Sequence, residues 1–329
     1  MKSQVQPGHV VALCGGVGGA KLALGLYRVL EPEQLSVIVN TGDDFNHLGL
    51  HISPDLDTVL YTLAGIADRE RGWGRAEETW NFMDALRGRG GESWFQLGDR
   101  DLATHITRTQ WLREGGALSE FVSQTARALG ISARILPMSD DPVRTIVETA
   151  EGDLPFQHYF VRRRCEPAVK KIRFEHAAKV VPAPGVSDLL SQPGLQAIVI
   201  CPSNPYLSVD PILAVPGIRS ALLNAVPVIA VSPIIGGHAV KGPTAKIMRE
   251  LGIVVNTQAI AAHYRGLIDA LVIDEADAAD QANNDVPIMR TRTMMKTLED
   301  REQLARDVLS FAGQFSRQPT AARFAGGAR

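Results

Sequence analysis

Residues 9–21 read His-Val-Val-Ala-Leu-Cys-Gly-Gly-Val-Gly-Gly-Ala-Lys, an apolar run of strand length that breaks into a glycine cluster and then into a helical pattern. Leu22, Leu26, Val29 and Leu30 keep to one face at helical spacing, which predicts a helix over about 20–30. A second apolar run, 35–39, opens into Asn40-Thr41-Gly42-Asp43-Asp44, and Pro54-Asp55-Leu56-Asp57-Thr58 then begins another helical pattern. Strands alternating with helices imply a parallel sheet with right-handed crossovers. The expected fold is α/β, a Rossmann-like doubly wound, mostly parallel sheet.

The glycines carry a specific chemistry. Backbone N–H groups approach phosphate oxygens only where side chains are absent, and a helix N-terminus favours anions. Gly15, Gly16, Gly18 and Gly19 supply that access, and Lys21 adds a point charge. The spacing is neither the dinucleotide fingerprint, because Lys21 stands where a glycine is needed, nor a Walker A loop. A turn that merely packs the helix on the sheet would look the same. The acids narrow the choice. Ligands of open parallel sheets bind beyond the carboxyl ends of the strands, where Asp43 and Asp44 are expected, with Asp55 and Asp57 at the next helix start. Carboxylates there suit Mg²⁺, which takes a few carboxylates, waters and substrate phosphate. Asp55 reads equally well as a helix N-cap.

The chain has 329 residues, 45% hydrophobic and 21% charged, and a net charge of −2. These are ordinary values for a globular protein, without the basic surplus of a nucleic-acid binder. The run Arg162-Arg163-Arg164 reads as a solvated strand face. Cys14, Cys165 and Cys201 are far apart, without metal-ligand spacing, and Cys14 and Cys201 read as buried thiols. No secretory signal and no run of ~20 apolar residues is present, so a cytoplasmic protein without a membrane partner is expected.

Residues 67–194 change character. Helices are predicted over 76–87, 101–113 and 117–129, then strands near 133–138, 143–149, 157–162 and 169–176, which reads as an inserted helical/β subdomain. Trp73, Trp80 and Trp94 fall in its first third and read as packing residues. His105 follows Asp101 by four residues, so the two share a helix face. The α/β rhythm returns at 196–201, which ends in Pro-Ser203-Asn204-Pro, and at 228–231, which ends in Ser232-Pro-Ile-Ile-Gly236-Gly237. Small polar groups at strand tips suit a base or ribose. Lys241 and Gly242 add a further phosphate contact. Strands are predicted near 253–255 and 270–273, and a last helix over about 299–313. The division is a single α/β domain over 1–313, with a nucleotide-binding core of 8–66 and 195–313, and a disordered tail over 314–329.

Seven segments in this order, GGVGGAK, NTGDD, ISPDLDTVLYTLAG, LGDRDLATHI, ILPMSDDPV, PSNP and SPIIGG, resemble the 2-phospho-L-lactate transferase family of coenzyme F-420 biosynthesis. The resemblance implies a magnesium-dependent phosphotransferase. Its donor is a guanosine diphosphate linked to 2-phospholactate, phosphoenolpyruvate or 3-phosphoglycerate. Its acceptor is the terminal ribityl hydroxyl of the deazaflavin FO, and GMP is released. It places the metal on Asp43 and Asp57, FO near Asp57 and Gln96, and guanosine diphosphate along Gly16, Gly18, Gly19, Lys21, Asn40 and Thr41, with Ser203, Asn204 and Ser232 toward the nucleoside. Gln96 departs from the basic residue frequent there. The family implies a homodimer. A sister group that binds UDP-sugars and acts in regulation shares the glycine turn, but PDLDT and LGDRD argue against it. A nicotinamide dehydrogenase is disfavoured because Asn40, not an acid, ends the second strand.

Overall fold

The computed structural model describes residues 8–224, 226–240, 242–277 and 286–315. Lys241 and the tail beyond Phe315 lie outside the described residues. Among those described, no helix is long and apolar enough to cross a membrane.

The strand His9–Cys14 pairs in parallel with Leu35–Val39 on one side and Leu195–Ile200 on the other, so that Leu13 stands opposite both Ile38 and Ile200. Arg134–Pro137 lies outside Leu35–Val39; Val228–Val231, Ala270–Asp274 and Ile288–Thr291 extend the other side. Every neighbouring pair is parallel. Numbered along the chain, the strands run 3-2-1-4-5-6-7 across the sheet. The order reverses between the first and fourth strands, which opens a crevice at their carboxyl ends.

These central strands are apolar almost without interruption because both faces are covered. Val11 and Leu13 enter one core, while Val10, Ala12 and Cys14 enter the other. The helix Gly16–Val29 buries Leu22, Ala23 and Leu26 beneath the sheet and packs on the last helix, Leu298–Ala312. Both Cys14 and Cys201 are buried free thiols.

The middle of the chain departs from one expectation. Arg134–Pro137, read as part of the insertion, is a strand of the main sheet. Ile135 and Leu136 are buried there, and the helix Leu118–Ala128 lies against the strand as the last part of a long crossover. The intervening material therefore falls in two pieces. The first holds the hairpin Phe45–His47/Leu50–Ile52 and the helices Pro54–Leu63, Asn81–Gly88 and Asp99–Arg113. The second is an antiparallel sheet of Gly152–Pro155, Arg144–Thr149 and Val169–Glu175.

Where a strand was expected over 157–162, His158–Arg162 forms a helical turn. The turn sets Phe156 and Phe160 four apart with rings stacked at 5.3 Å and buries Tyr159 in the core. The three arginines therefore end a helical turn rather than face a strand. Arg162 pairs with Glu92 and Arg163 with Glu151. Residues 253–255 are not a strand either: they leave the helix Thr244–Glu250, with the Ile253 N–H returning to the Met248 carbonyl. The short Ile288–Thr291 strand was not anticipated.

Gly25 marks where the first and last helices approach most closely. A Cβ there would stand 2.1 Å from the Arg301 carbonyl oxygen. Alanine gains about 1 kcal/mol of helix propensity over glycine, but a clash with backbone costs about 1–3 kcal/mol. Gly25→Ala is therefore expected to lower the urea midpoint. A raised midpoint would show that the two helices separate freely.

Candidate functional site at the switch point

The glycine turn sits at the carboxyl end of the first strand, and Pro202-Ser203-Asn204 at that of the fourth. The hydroxyl of Ser203 ties them by accepting the Gly15 N–H at 3.1 Å. Gly16 has φ +63° with nothing within 4 Å of a notional Cβ, a backbone state that glycine adopts without strain. At Gly18 a Cβ would meet the Pro202 carbonyl oxygen at 2.6 Å, and at Gly19 the Ser203 hydroxyl at 2.3 Å. These two glycines let the fourth strand's tip approach the helix.

A helix leaves its first N–H groups without partners. Here Gly15 gives its own to Ser203, and Gly16 donates to Asp55 Oδ1 at 2.7 Å. Val17 and Gly18, on the wall of the main cavity, supply the next two. Asp55 thus caps the first helix rather than its own, whose N-cap is Ser53.

The cavity has a volume of about 630 Å³. One end is lined by Gly15, Gly16, Gly18, Lys21, Asp55, Ser203, Asn204 and Ser232. Further wall comes from Trp73, Phe95, Gln96, Phe156, Gln157 and Phe160, so the crevice and an aromatic surface share one space. Lys21 Nζ donates to the Met295 carbonyl. Asn204 caps the following turn with Oδ1, and its buried Nδ2 has no protein partner among the described residues. The Ser232 hydroxyl accepts the Ile234 N–H. Gln96 accepts from Arg87 and donates to the Ser93 carbonyl.

Behind the turn lies a concentration of buried carboxylates: Asp43, Asp44, Asp55 and Asp57. Asn40 Nδ2 bridges Asp43 Oδ1 at 3.2 Å and Asp55 Oδ2 at 2.9 Å, while Gln157 donates to the other oxygen of Asp43. Thr41 is buried beside them, outside the cavity wall. Burial pushes the Asp43 carboxyl well above the usual range, and the charges of Asp55, Asp44 and Asp57 add to it. Burial raises Asp44 to about 8 despite the Ser53 hydroxyl, and Asp55 to about 6 against hydrogen bonds from Asn40, Gly16 and Ser208.

Asp57 faces a different partner. Arg108, fully buried, grips it with Nη1 to Oδ1 at 2.6 Å and Nη2 to Oδ2 at 3.0 Å. Arg108 also donates to the His51 carbonyl and to His105 Nδ1. A guanidinium has only donors, so Nδ1 accepts and the imidazole proton rests on Nε2, 3.2 Å from Asp101 but too oblique for a hydrogen bond. Tyr61 donates to Asp101. Asp57, Asp101 and His105 offer ligand atoms within 4.8 Å of one another, a donor set that suits a metal, although Arg108 now supplies the counter-charge. Of the expected metal pair, then, Asp43 stands beside Asp55, and Asp57 stands on Arg108.

Arg108 and Gln157 escaped sequence reasoning. The signal for Arg108 was present: Asp101, His105 and Arg108 recur at helical spacing on the helix Asp99–Arg113. Gln157 comes from a segment misread as strand.

A parallel sheet of this order with its cavity at the reversal defines a Rossmann-like, doubly wound α/β protein. A family model described as 2-phospho-L-lactate transferase CofD matches residues 10–312. A 2-phospho-L-lactate transferase of Methanosarcina mazei is 39% identical over 303 residues, covering 91% of this chain and 99% of its own. A phosphoenolpyruvate transferase of Streptomyces coelicolor is 40% identical over 314 residues, covering 92% and 98%. The crystal structure of a UPF0052 family member from Bacillus halodurans superposes with a TM-score of 0.59 at 16% identity, covering 93% of this chain and 99% of the other, which speaks for the fold. The chain belongs to the 2-phospho-L-lactate transferase family.

Two tests follow from the charges. Removing Arg108 leaves Asp57 buried and unpaired, which costs about 3–5 kcal/mol. Arg108→Met is expected to lose that much in denaturant unfolding, with part regained in the Asp57→Asn/Arg108→Met double variant. Asp55 and Asp44 titrate near 3.8 when unfolded, but at about 6 and about 8 when folded. The folded state therefore holds the extra protons, and their contribution to stability falls as pH rises from about 4 to about 8. The metal-free protein is expected to lose melting temperature across that window, and Mg²⁺ to raise it more at the alkaline end. An equal Mg²⁺ effect at both ends would separate the ion from these carboxylates.

Proposed function

We propose that the chain moves a phospho-three-carbon-acid group from its guanosine-diphosphate-linked donor to the terminal ribityl hydroxyl of the deazaflavin FO, in coenzyme F-420 biosynthesis. The observation that carries this reading is the shared cavity. Val17 and Gly18, in the first helical turn, line its wall together with the aromatic residues Trp73, Phe95, Phe156 and Phe160. A diphosphate fits the first and a flat ring system the second. The hydroxyl oxygen of FO bonds to the phosphorus that bears the acid. The bond from that phosphorus to the bridging oxygen breaks, GMP leaves with the oxygen and its electron pair, and the hydroxyl proton passes to solvent or a base.

Phosphoryl transfer asks mainly for positioning and charge neutralisation. The glycine turn and Lys21 position the donor diphosphate. Asn204, whose Nδ2 is a buried donor without a protein partner, and the hydroxyls of Ser203 and Ser232 stand where the nucleoside would lie. Gln96 and the aromatic wall position FO. The crowded carboxylates fit a divalent cation, since burial and then their mutual repulsion already favour protonation of Asp43. Asp43 and Asp57, with Asp55 between them in sequence, would hold Mg²⁺. Bound there, the ion supplies neutralisation of the diphosphate and of departing GMP. The same reading carries a cytoplasmic enzyme that works as a homodimer.

Relatives named for 2-phospholactate and for phosphoenolpyruvate match this chain almost equally, at 39% and 40% identity, so overall likeness does not choose the acid. Mass spectrometry of the product formed from FO, Mg²⁺ and each donor reads it directly. One conjugate and stoichiometric GMP are expected; no conjugate from any of the three donors would refute the transfer. Asp43→Asn is expected to cut transfer by two orders of magnitude or more while keeping or raising metal-free stability at pH 8. It removes a repelled carboxylate, and Gln157 can turn its amide to match. Alanine at Asp57 is a poorer probe, because it strands the Arg108 charge.

A further inference from the structure

The loop after the helix Pro54–Leu63 carries a cation to the cavity wall. Its own backbone closes it: Asp68 N–H donates to the Gly74 carbonyl, Gly72 N–H to Asp68, and Ala76 N–H to Ile66. Asp68 spends both oxygens on the loop. Oδ1 accepts the N–H groups of Glu70 and Arg71, and Oδ2 accepts Nε and Nη2 of Arg71 at 2.9 and 2.6 Å. The Arg71 guanidinium carbon lies 4.8 Å from the Trp80 ring centre and 5.3 Å from that of Trp73, and the two indoles meet edge to face. The side chain is thus fixed along its Nε edge and flanked by rings. Its Nη1 has no protein partner among the described residues.

Two other charged residues line this cavity among the described residues: Lys21, on the helix that the glycine turn opens, and Asp55, which accepts the Gly16 N–H. Arg71 is the cation away from that turn. A guanidinium held at one edge, with donors open at the other, presents a fixed site for an oxyanion. The diphosphate already has the helix N–H groups. Each candidate acid also carries a carboxylate, which is costly to enclose without a partner.

We propose that Arg71 is the carboxylate clamp of the site, binding the acid group of the donor. The proposal rests on the transferase reading above. Arg71 recognises what the three acids share, so it selects the class, and the choice within the class is made by groups around the remaining carbons. Asp68 and the two indoles act as positioning residues that hold the guanidinium toward the cavity.

Calorimetric titration of wild type, Arg71→Gln and Arg71→Lys tests this with four ligands: GDP, the guanosine-diphosphate-linked 2-phospholactate donor, the methyl ester of that donor, and FO. Wild type is expected to prefer the free acid over the ester by roughly tenfold to a hundredfold, the worth of a charged hydrogen-bonded pair. Arg71→Gln is expected to bind acid and ester alike, with GDP and FO affinities kept within about twofold. Arg71→Lys should recover part of the preference, since it keeps charge but not the fork. The clamp is refuted if Arg71→Gln still distinguishes acid from ester, if wild type does not, if GDP affinity falls in step with the donor, or if FO affinity alone falls. Failure of the transferase reading shows separately, as the absence of an FO conjugate from wild type whatever the variants bind.

Discussion

The reversal of strand order between His9–Cys14 and Leu195–Ile200 is the constraint on which the site depends. Parallel strands must be joined by crossovers, and crossovers that leave in opposite directions open a crevice between their tips. Gly15 and Ser203 meet at that crevice, and the hydrogen bond between them joins segments 188 residues apart in sequence. Gly18 and Gly19 are needed because the two tips come within van der Waals distance. Their role is to let protein approach protein, and the ligand takes the space that this approach defines.

A second constraint follows from placing so many acids behind the turn. Arg108 compensates Asp57 directly, while Asp43 and Asp55 share one amide, that of Asn40. The cluster is therefore held in two ways. One part is neutralised by protein and is structural as well as chemical. The other is under-compensated, and its raised proton affinity records that deficit. A fold that tolerates such a deficit trades stability for a place where positive charge is strongly favoured.

Much of this was legible in the sequence, for physical reasons. Strands buried on both faces must be continuously apolar, so 9–14, 35–39, 196–201 and 228–231 stood out. Glycines followed by acids marked the strand tips. The Arg134–Pro137 strand was harder, because an edge strand ends a crossover long enough to look like a domain. Residues 158–162 misled because Tyr, Phe and Val favour strands, whereas Phe156, Tyr159 and Phe160 pack at helical spacing. The pairing of acids was not legible at all. Asp55 and Asp57 are two apart at a helix start, so they diverge: one turns to Gly16 and the other to Arg108. No count of carboxylates in a motif distinguishes them.

The central position of the first strand has a consequence for how the molecule comes into being. Its neighbour on one side, Leu35–Val39, is made almost at once, but its neighbour on the other, Leu195–Ile200, emerges from the ribosome only after most of the chain. Until then a strand that is apolar from Val10 to Cys14 has one open edge, and such edges invite association with other chains. The crevice does not exist in that interval, so no ligand of the crevice stabilises the nascent half. Maturation of this protein hinges on a late, long-range pairing of the kind that slows folding.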